Sequence, residues 1–249
     1  MSLKMPPEHY RSLAALEDHY WWHQGRYHLI RAALERHGRS PAELRVADVG
    51  CGTGGFLRYL RRLGTRELAG FDYSAEALEG IRRDGIRAET LDLEQRFALP
   101  DGPWDVVACL DVLEHIQDEG PFLEAVRASL APGGRLVLTV PAHAFLFSEW
   151  DRRLQHFRRY SRRGLRQRLE ASGFRVREIS CFFSFVLPMA LARKWVGGYD
   201  GRQTCEFPPV PAILNRTLLG LSALERGWLR RAFLPMGTSV FALAQRDDG

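Results

Sequence analysis

Short, unbroken apolar runs bounded by glycine or aspartate recur along the chain, the pattern of strands buried on both faces of a parallel sheet. They fall at residues 44–49, 68–71, 86–90, 104–110 and 136–140, with 174–179 and 239–244 as the last two. Between them the period lengthens to that of a helix. Phe56, Leu57, Leu60 and Leu63 form one stripe, and Ala75, Leu78 and Ile81 form another behind the N-cap candidate Ser74. Phe122, Leu123, Val126 and Leu130 lead into the turn Ala131-Pro132-Gly133-Gly134. Leu165 and Leu169 mark a helix capped by Ser161 and stopped at Gly173. Alternating strand and helix predicts an α/β fold, a doubly wound, Rossmann-like seven-stranded sheet whose last strand runs antiparallel.

Two regions stand outside this alternation. Residues 1–40 read as an N-terminal helical cap, with aromatics crowded into HYWWHQGRYHLI at 19–30. Residues 182–237 separate the last two strands, where a short connection would suffice. This insertion is expected to be a lid, a substrate wall, a dimer contact or a structural subdomain. The core is then 41–181 together with 238–249.

Composition adds little to this. The chain has 249 residues, 45% of them hydrophobic and 26% charged, ordinary for a globular protein with one large domain. Its net charge is +5, and only Lys4 and Lys194 are lysines. A modest arginine excess is compatible with an anionic substrate, RNA or a membrane surface, and also with a solvated basic face. Cys51, Cys109, Cys181 and Cys205 are widely spaced without a C-x-x-C pair, which predicts reduced thiols, no zinc and a cytoplasmic setting. No metal-ligand spacing such as H-E-x-x-H is present, so no metal is expected. The N-terminus lacks the apolar core of a signal peptide, and the longest apolar run is too short to span a bilayer.

The chemistry centres on DVGCGTGG, residues 48–55. Gly50, Gly52 and Gly55 spell G-x-G-x-x-G, the dinucleotide fingerprint, whereas Gly50, Gly52 and Gly54 spell the G-x-G-x-G loop of S-adenosylmethionine (SAM) enzymes. Both readings present backbone amides at a strand-to-helix turn, and both use an acid such as Asp72 for ribose hydroxyls. Asp48 tips the balance: a carboxylate there suits a ligand carrying an ammonium and a sulfonium and repels a pyrophosphate. LDLE at 91–94 offers Asp92 to an adenine amino group, and DVLEHI at 111–116 follows the fourth strand.

Taken in order, VADVGCGTGGF, GFDYS, LDLE, WDVVACLDVLEHI and LAPGGRLVLTVP resemble the class I SAM-dependent methyltransferases, particularly bacterial small-molecule members, over residues 44–179 and the final strand. That resemblance implies a SAM pocket in which Asp48, Gly50, Cys51, Gly52 and Gly54 surround the methionine part. Asp72 and Tyr73 lie at the ribose, Asp92 and Leu93 at the adenine, and Leu110, Asp111 and His115 complete the pocket. It also implies that the N-terminal helices roof the cofactor.

The acceptor is bounded mainly by absences. Members of the resembled family that act on amide or exocyclic amino groups often carry N/D-P-P-Y/F after the fourth strand, and cytosine C5 enzymes a Pro-Cys nucleophile; this chain has neither, so the resemblance leaves O-, ordinary amine N- or C-methylation of a small molecule. PAHAFLFSEWDRRLQHFRRYS, residues 141–161, supplies the candidate acceptor wall at the carboxyl edge of the sheet. His156 is the candidate base, since an imidazole titrates near neutrality; His143, Trp150, Arg159 and Tyr160 are the candidate substrate contacts. Arginines here suit a phosphate or carboxylate, although many of the eight between 152 and 168 belong to a solvated helix face. The apolar segment 181–195 ends in Arg193, Lys194 and Trp195, which leaves open a peripheral membrane contact and a lipid-linked acceptor beside a buried helix or a homodimer face. Two other readings stand: an NAD(P)-dependent oxidoreductase, and a non-catalytic SAM- or RNA-binding module. A nucleic-acid acceptor is less expected than a small molecule.

Overall fold

The computed structural model describes residues 7–93, 98–195 and 210–248. Seven strands form one sheet: β1 Arg45–Val49, β2 Glu67–Asp72, β3 Arg87–Thr90, β4 Trp104–Leu110, β5 Leu130–Pro141, β6 Phe174–Phe182 and β7 Ser239–Arg246. Their order is β3-β2-β1-β4-β5-β7-β6. All neighbouring pairs are parallel except those of β7, which runs antiparallel to both β5 and β6.

The period of two along each strand divides its side chains between two layers. Ala47, Val49, Val107, Cys109, Leu136, Leu138 and Ala242 face a cluster built with α5 (Glu119–Ser129) and α7 (Arg162–Ala171), through Phe122, Leu123, Val126, Leu165 and Leu169. Val46, Val106, Ala108, Val137, Phe241 and Leu243 face the opposite cluster. That second cluster takes its helical half from α2 (Trp21–Arg36) and α3 (Gly55–Arg62), with Leu29, Ile30, Leu34, Phe56 and Leu60. α2 is thus a full member of one helical layer as well as a neighbour of the site. α1 (Pro7–Leu16) precedes it, and α4 (Ala75–Arg83) packs beside β2 and β3 with its N-cap Ser74 accepting from the Ala77 amide.

The structure departs from the apolar pattern at the fifth strand. The expected turn 131–134 lies inside β5, because Leu130 already pairs with Trp104; the register then shifts before Arg135 pairs with Val106. Gly133, at φ 67°, takes the left-handed backbone that this irregularity needs. Leu130 is accordingly a strand residue, and α5 stops at Ser129.

Within the insertion, β6 runs through Phe182, and α8 (Leu187–Trp195) and α9 (Ala212–Leu229) follow. Most of the Pro/Gly-rich stretch, and Cys205 with it, lies outside the described residues. α9 docks on α2. A Cβ on Gly25 would meet the Phe183 ring and the Ser222 hydroxyl at 3.0 Å, so glycine sets this close approach. Glu225 on α9 accepts hydrogen bonds from the amides of Phe183 (2.5 Å) and Ser184 (2.8 Å), securing the left-handed turn that leaves β6. The carboxyl ends of the parallel strands β1, β2, β4 and β5 share one edge of the sheet, with α6 (Glu149–Arg153) following β5; the crevice outside that edge is where open α/β sheets hold ligands.

Candidate active site

The glycine turn after β1 has three left-handed residues, Gly50, Gly52 and Gly54, at φ 70°, 54° and 88°. They differ in what they face. A Cβ on Gly50 would strike Val112 at 2.5 Å, and one on Gly54 would strike Ile81 at 2.6 Å; both are required by packing. One on Gly52 would meet only Leu13, at 3.9 Å, so this is the glycine whose open side faces space that a ligand can share. Cys51 points away, its sulfur packed close to Gly70 on β2, and contributes only backbone to the turn.

Carboxylates crowd this turn. Asp72, at the end of β2, accepts from the amides of Gly52 (2.9 Å) and Ser74 (3.0 Å) and from the Tyr10 hydroxyl (3.3 Å). Tyr10 also meets the half-buried Tyr73 edge-on. Glu17, from the stretch before α2, reaches the start of α3, where one oxygen accepts from the Thr53 hydroxyl (2.5 Å) and the Gly55 amide (2.9 Å). Burial pushes its carboxyl up despite those bonds and the nearby Arg58. Asp48 is buried with Oδ1 lacking any hydrogen-bond partner. Burial drives its carboxyl well above the ordinary range, Arg26 opposes this, and Glu17 and Asp72 reinforce it. A buried carboxyl left without a hydrogen-bond partner beside this turn fits a ligand that brings positive charge, as the methionine part of SAM does. It does not fit a diphosphate. Exposed Asp92 and half-buried Leu93 follow β3 on the same edge as Asp72, tied to β2 by the Leu91 amide on the Asp72 carbonyl (2.9 Å).

The second half of the crevice follows β4. Leu110 ends the strand half-buried, and Asp111 adopts a left-handed φ of 58°. Its carboxylate pairs with Arg26 from α2 and accepts from the Thr139 hydroxyl (3.1 Å). Glu114, in the short turn Leu113–His115, is fully buried with both oxygens unpartnered; burial first and Asp111 second push it well above the carboxylate range. His156 Nε2 lies 4.0 Å from Glu114 Oε1, while its Nδ1 is 2.9 Å from Asp151 Oδ1. The His115 ring meets the His156 ring edge-on at 4.8 Å.

Asp151 anchors this wall. It caps its own helix through Ser148 and takes a two-pronged bond from Arg159, Nε at 2.8 Å and Nη2 at 3.0 Å. Burial would raise its carboxyl, but the bonds from His156 and Arg159 outweigh that and bring it down to about 2. The carboxylate that Arg159 holds bidentately is therefore internal. Tyr160 is buried in the core, its hydroxyl donating to the Leu113 carbonyl (3.0 Å) and to Glu119, so it positions the turn that carries Glu114 and His115. His143, at φ 60°, lies by the Cys181 sulfur (3.9 Å) and stacks on Phe145; burial and then Arg159 hold its imidazole below the usual value. Trp150 is half-buried on α6.

The structure thus brings His115 and His156 together beside Glu114, while His143 lies by the Cys181 sulfur and near Arg159. Sequence spacing missed Tyr10, Glu17, Arg26 and Glu114, whose partners are 62, 38, 85 and 42 residues away in Asp72, Gly55, Asp111 and His156. It also gave no hint that Glu114, His115 and His156 bring ligand atoms within 4.8 Å of one another, a grouping able to hold a metal ion.

Strand order answers the question posed by the glycines. Dinucleotide-binding sheets run 3-2-1-4-5-6, whereas here an antiparallel seventh strand enters between the fifth and sixth. With the orphaned Asp48, this arrangement is that of the class I SAM-dependent methyltransferases. Comparison with known proteins agrees: a family model described as a methyltransferase domain matches residues 21–179, and the chain belongs to that family. A ubiquinone biosynthesis O-methyltransferase from Caulobacter sp. (strain K31) is 37% identical over 119 residues, 44% of this chain and 46% of that protein. A tRNA U34 carboxymethyltransferase from Campylobacter hominis is 30% identical over 129 residues, 49% of this chain and 42% of its own. The chain therefore spans about half the length of the curated relatives it matches. A SAM-dependent methyltransferase structure from Mesorhizobium loti superposes with a TM-score of 0.56 over 88% of this chain and 98% of that one, at 20% identity, a likeness of fold.

Proposed function

We propose that the protein transfers a methyl group from SAM to a hydroxyl oxygen of a small molecule, with His156 as the proton acceptor. The observation that carries this is the Asp151–His156 pair in the wall of the crevice. A carboxylate on Nδ1 fixes the tautomer that leaves the Nε2 lone pair available. SAM supplies an electrophilic methyl on a sulfonium, so the protein's work is alignment, exclusion of water and removal of one proton. Asp48 faces the cationic part of the donor, Asp72 the ribose, and Asp92 with Leu93 the adenine. Nε2 of His156 takes the hydroxyl proton. Asp151 stabilises the imidazolium that results, and Arg159 keeps Asp151 ionised. The name of the Caulobacter relative points to the same atom, oxygen. The arginines between 152 and 168 argue against a phosphate track, since Arg152, Arg158, Arg159, Arg166 and Arg168 each pair with a carboxylate of this chain.

The test is formation of S-adenosylhomocysteine with a panel of hydroxylated aromatic acceptors, alongside calorimetric SAM binding. His156→Ala is expected to lower turnover by about 10²–10⁴-fold with SAM affinity unchanged. Unaltered turnover in that variant removes His156 from the chemistry; folded wild-type protein that binds no SAM removes the reading altogether.

A further inference from the structure

α9 has two faces of different character. Ser222 and Leu229 are buried against the body, Leu218 and Leu219 are half-buried, and Glu225 holds the turn after β6. The opposite face is apolar and bare: Ile213, Leu224 and Trp228 stand 80%, 73% and 57% exposed, with Leu221 between them. Their spacings of eight, three and four residues, 213 to 221 to 224 to 228, are those of one helical stripe. Past the helix, Phe233 continues the patch with the Arg162 guanidinium over its ring. Arg216, Arg230 and Arg231 are exposed around the stripe, and the only acid between residues 212 and 236 is the inward Glu225. Exposed apolar stripes of this kind mark an interaction surface, and the exposed charges that residues 212–236 add to this one are positive.

We propose that this face of α9 docks on the surface of an anionic lipid bilayer. Lying in the interface, the helix would seat Ile213, Leu224 and Trp228 among the acyl chains' outer segments while the arginines meet lipid phosphates. Tryptophan suits that boundary, with an apolar ring and a donor nitrogen. A second copy is the weaker occupant. Two-fold pairing of this face would bring the arginines that fringe it, Arg216, Arg230 and Arg231, against a helix whose one acid, Glu225, turns inward, while Arg226 faces Arg31 and Tyr59. Docking here reaches the crevice mechanically: Asn215 accepts from the Trp21 amide (2.8 Å) and donates to the His19 carbonyl (2.9 Å), clamping α9 to the start of α2, whose Arg26 touches Asp111.

Docking is tested without turnover, by co-sedimenting the full chain with vesicles of phosphatidylcholine alone and of phosphatidylcholine mixed with phosphatidylglycerol. The bound fraction is expected to be roughly tenfold higher on the anionic vesicles and to fall at high salt. Leu224→Glu combined with Trp228→Ser should reduce binding about tenfold, with gel-filtration elution and melting temperature kept. Arg230→Glu with Arg231→Glu should do the same and serves if the first pair fails to fold. Wild-type protein that ignores anionic vesicles overturns the proposal. So do variants that sediment like wild type, or a wild-type dimer that Leu224→Glu/Trp228→Ser converts to monomer.

Discussion

At the scale of single residues the molecule holds two carboxyls in opposite electrostatic states. Asp48 is buried without a partner and its carboxyl is raised, so the folded chain binds that proton more tightly than the unfolded chain does. Stability that depends on this proton is complete at low pH and is lost as pH rises past the ordinary carboxylate range. Asp48→Asn should therefore stabilise the ligand-free protein at neutral pH by roughly 1–3 kcal/mol while abolishing the melting-temperature increase produced by SAM. Thermal melts with and without SAM check both halves. Asp151 has the reverse sign. Its carboxyl is lowered to about 2, so its stabilisation is present above the unfolded value and disappears as pH falls toward 2. Denaturant titrations of wild type and Asp151→Asn should differ by about 2 kcal/mol at pH 7 and converge near pH 2. Asp48 is legible in the sequence because it stands two residues before the glycine turn, and Asp72 because it closes the next strand. Glu17 and Arg26 are not: nothing within an aromatic-rich helical stretch reveals that one residue will cap α3 and the next will cross to Asp111.

At the scale of elements, two contacts decide how well the crevice is held. Tyr160 ties the strand-like segment after α6 to the Leu113 carbonyl across 47 residues. Tyr160→Phe removes the hydroxyl from that carbonyl and from Glu119, which keeps Arg158 and Arg168, with an expected cost of about 1–3 kcal/mol. Faster amide exchange confined to residues 110–116 would show that the loss is felt at the turn carrying Glu114 and His115. The α2–α9 contact depends on Gly25, where an added Cβ would sit 3.0 Å from Phe183 and Ser222. Gly25→Val should cost about 1–3 kcal/mol by overpacking, and hydrogen exchange should locate the loosening in α9. Most elements are visible in the hydrophobic pattern, since strands buried on both faces have few alternatives. The exception is β5: Ala131-Pro132-Gly133-Gly134 has the composition of a turn, and only pairing with Trp104 turns it into a bulged strand. The direction of Arg159 is hidden for a similar reason. Its sequence neighbourhood shows an arginine available to an anion, whereas its fork closes on Asp151.

At the scale of the whole molecule, the split of strand residues between two helical layers follows from alternation alone, and so could be anticipated. The role of α2 could not, because its buried face becomes apparent only against β1, β4 and β7. The route of the chain through the sheet also bears on how the protein is made. β5 and β6 are synthesised before β7, yet β7 lies between them, pairing with β6 and with the edge of β5 that faces away from β4. Until it arrives, each presents a bare edge rich in valine, leucine or phenylalanine, the kind of surface on which nascent chains stick to one another. A ribosome that stalls shortly after α9 thus releases a product with two open seams instead of one nearly finished domain, and rescue by chaperones, more than intrinsic stability, would govern how much of it survives.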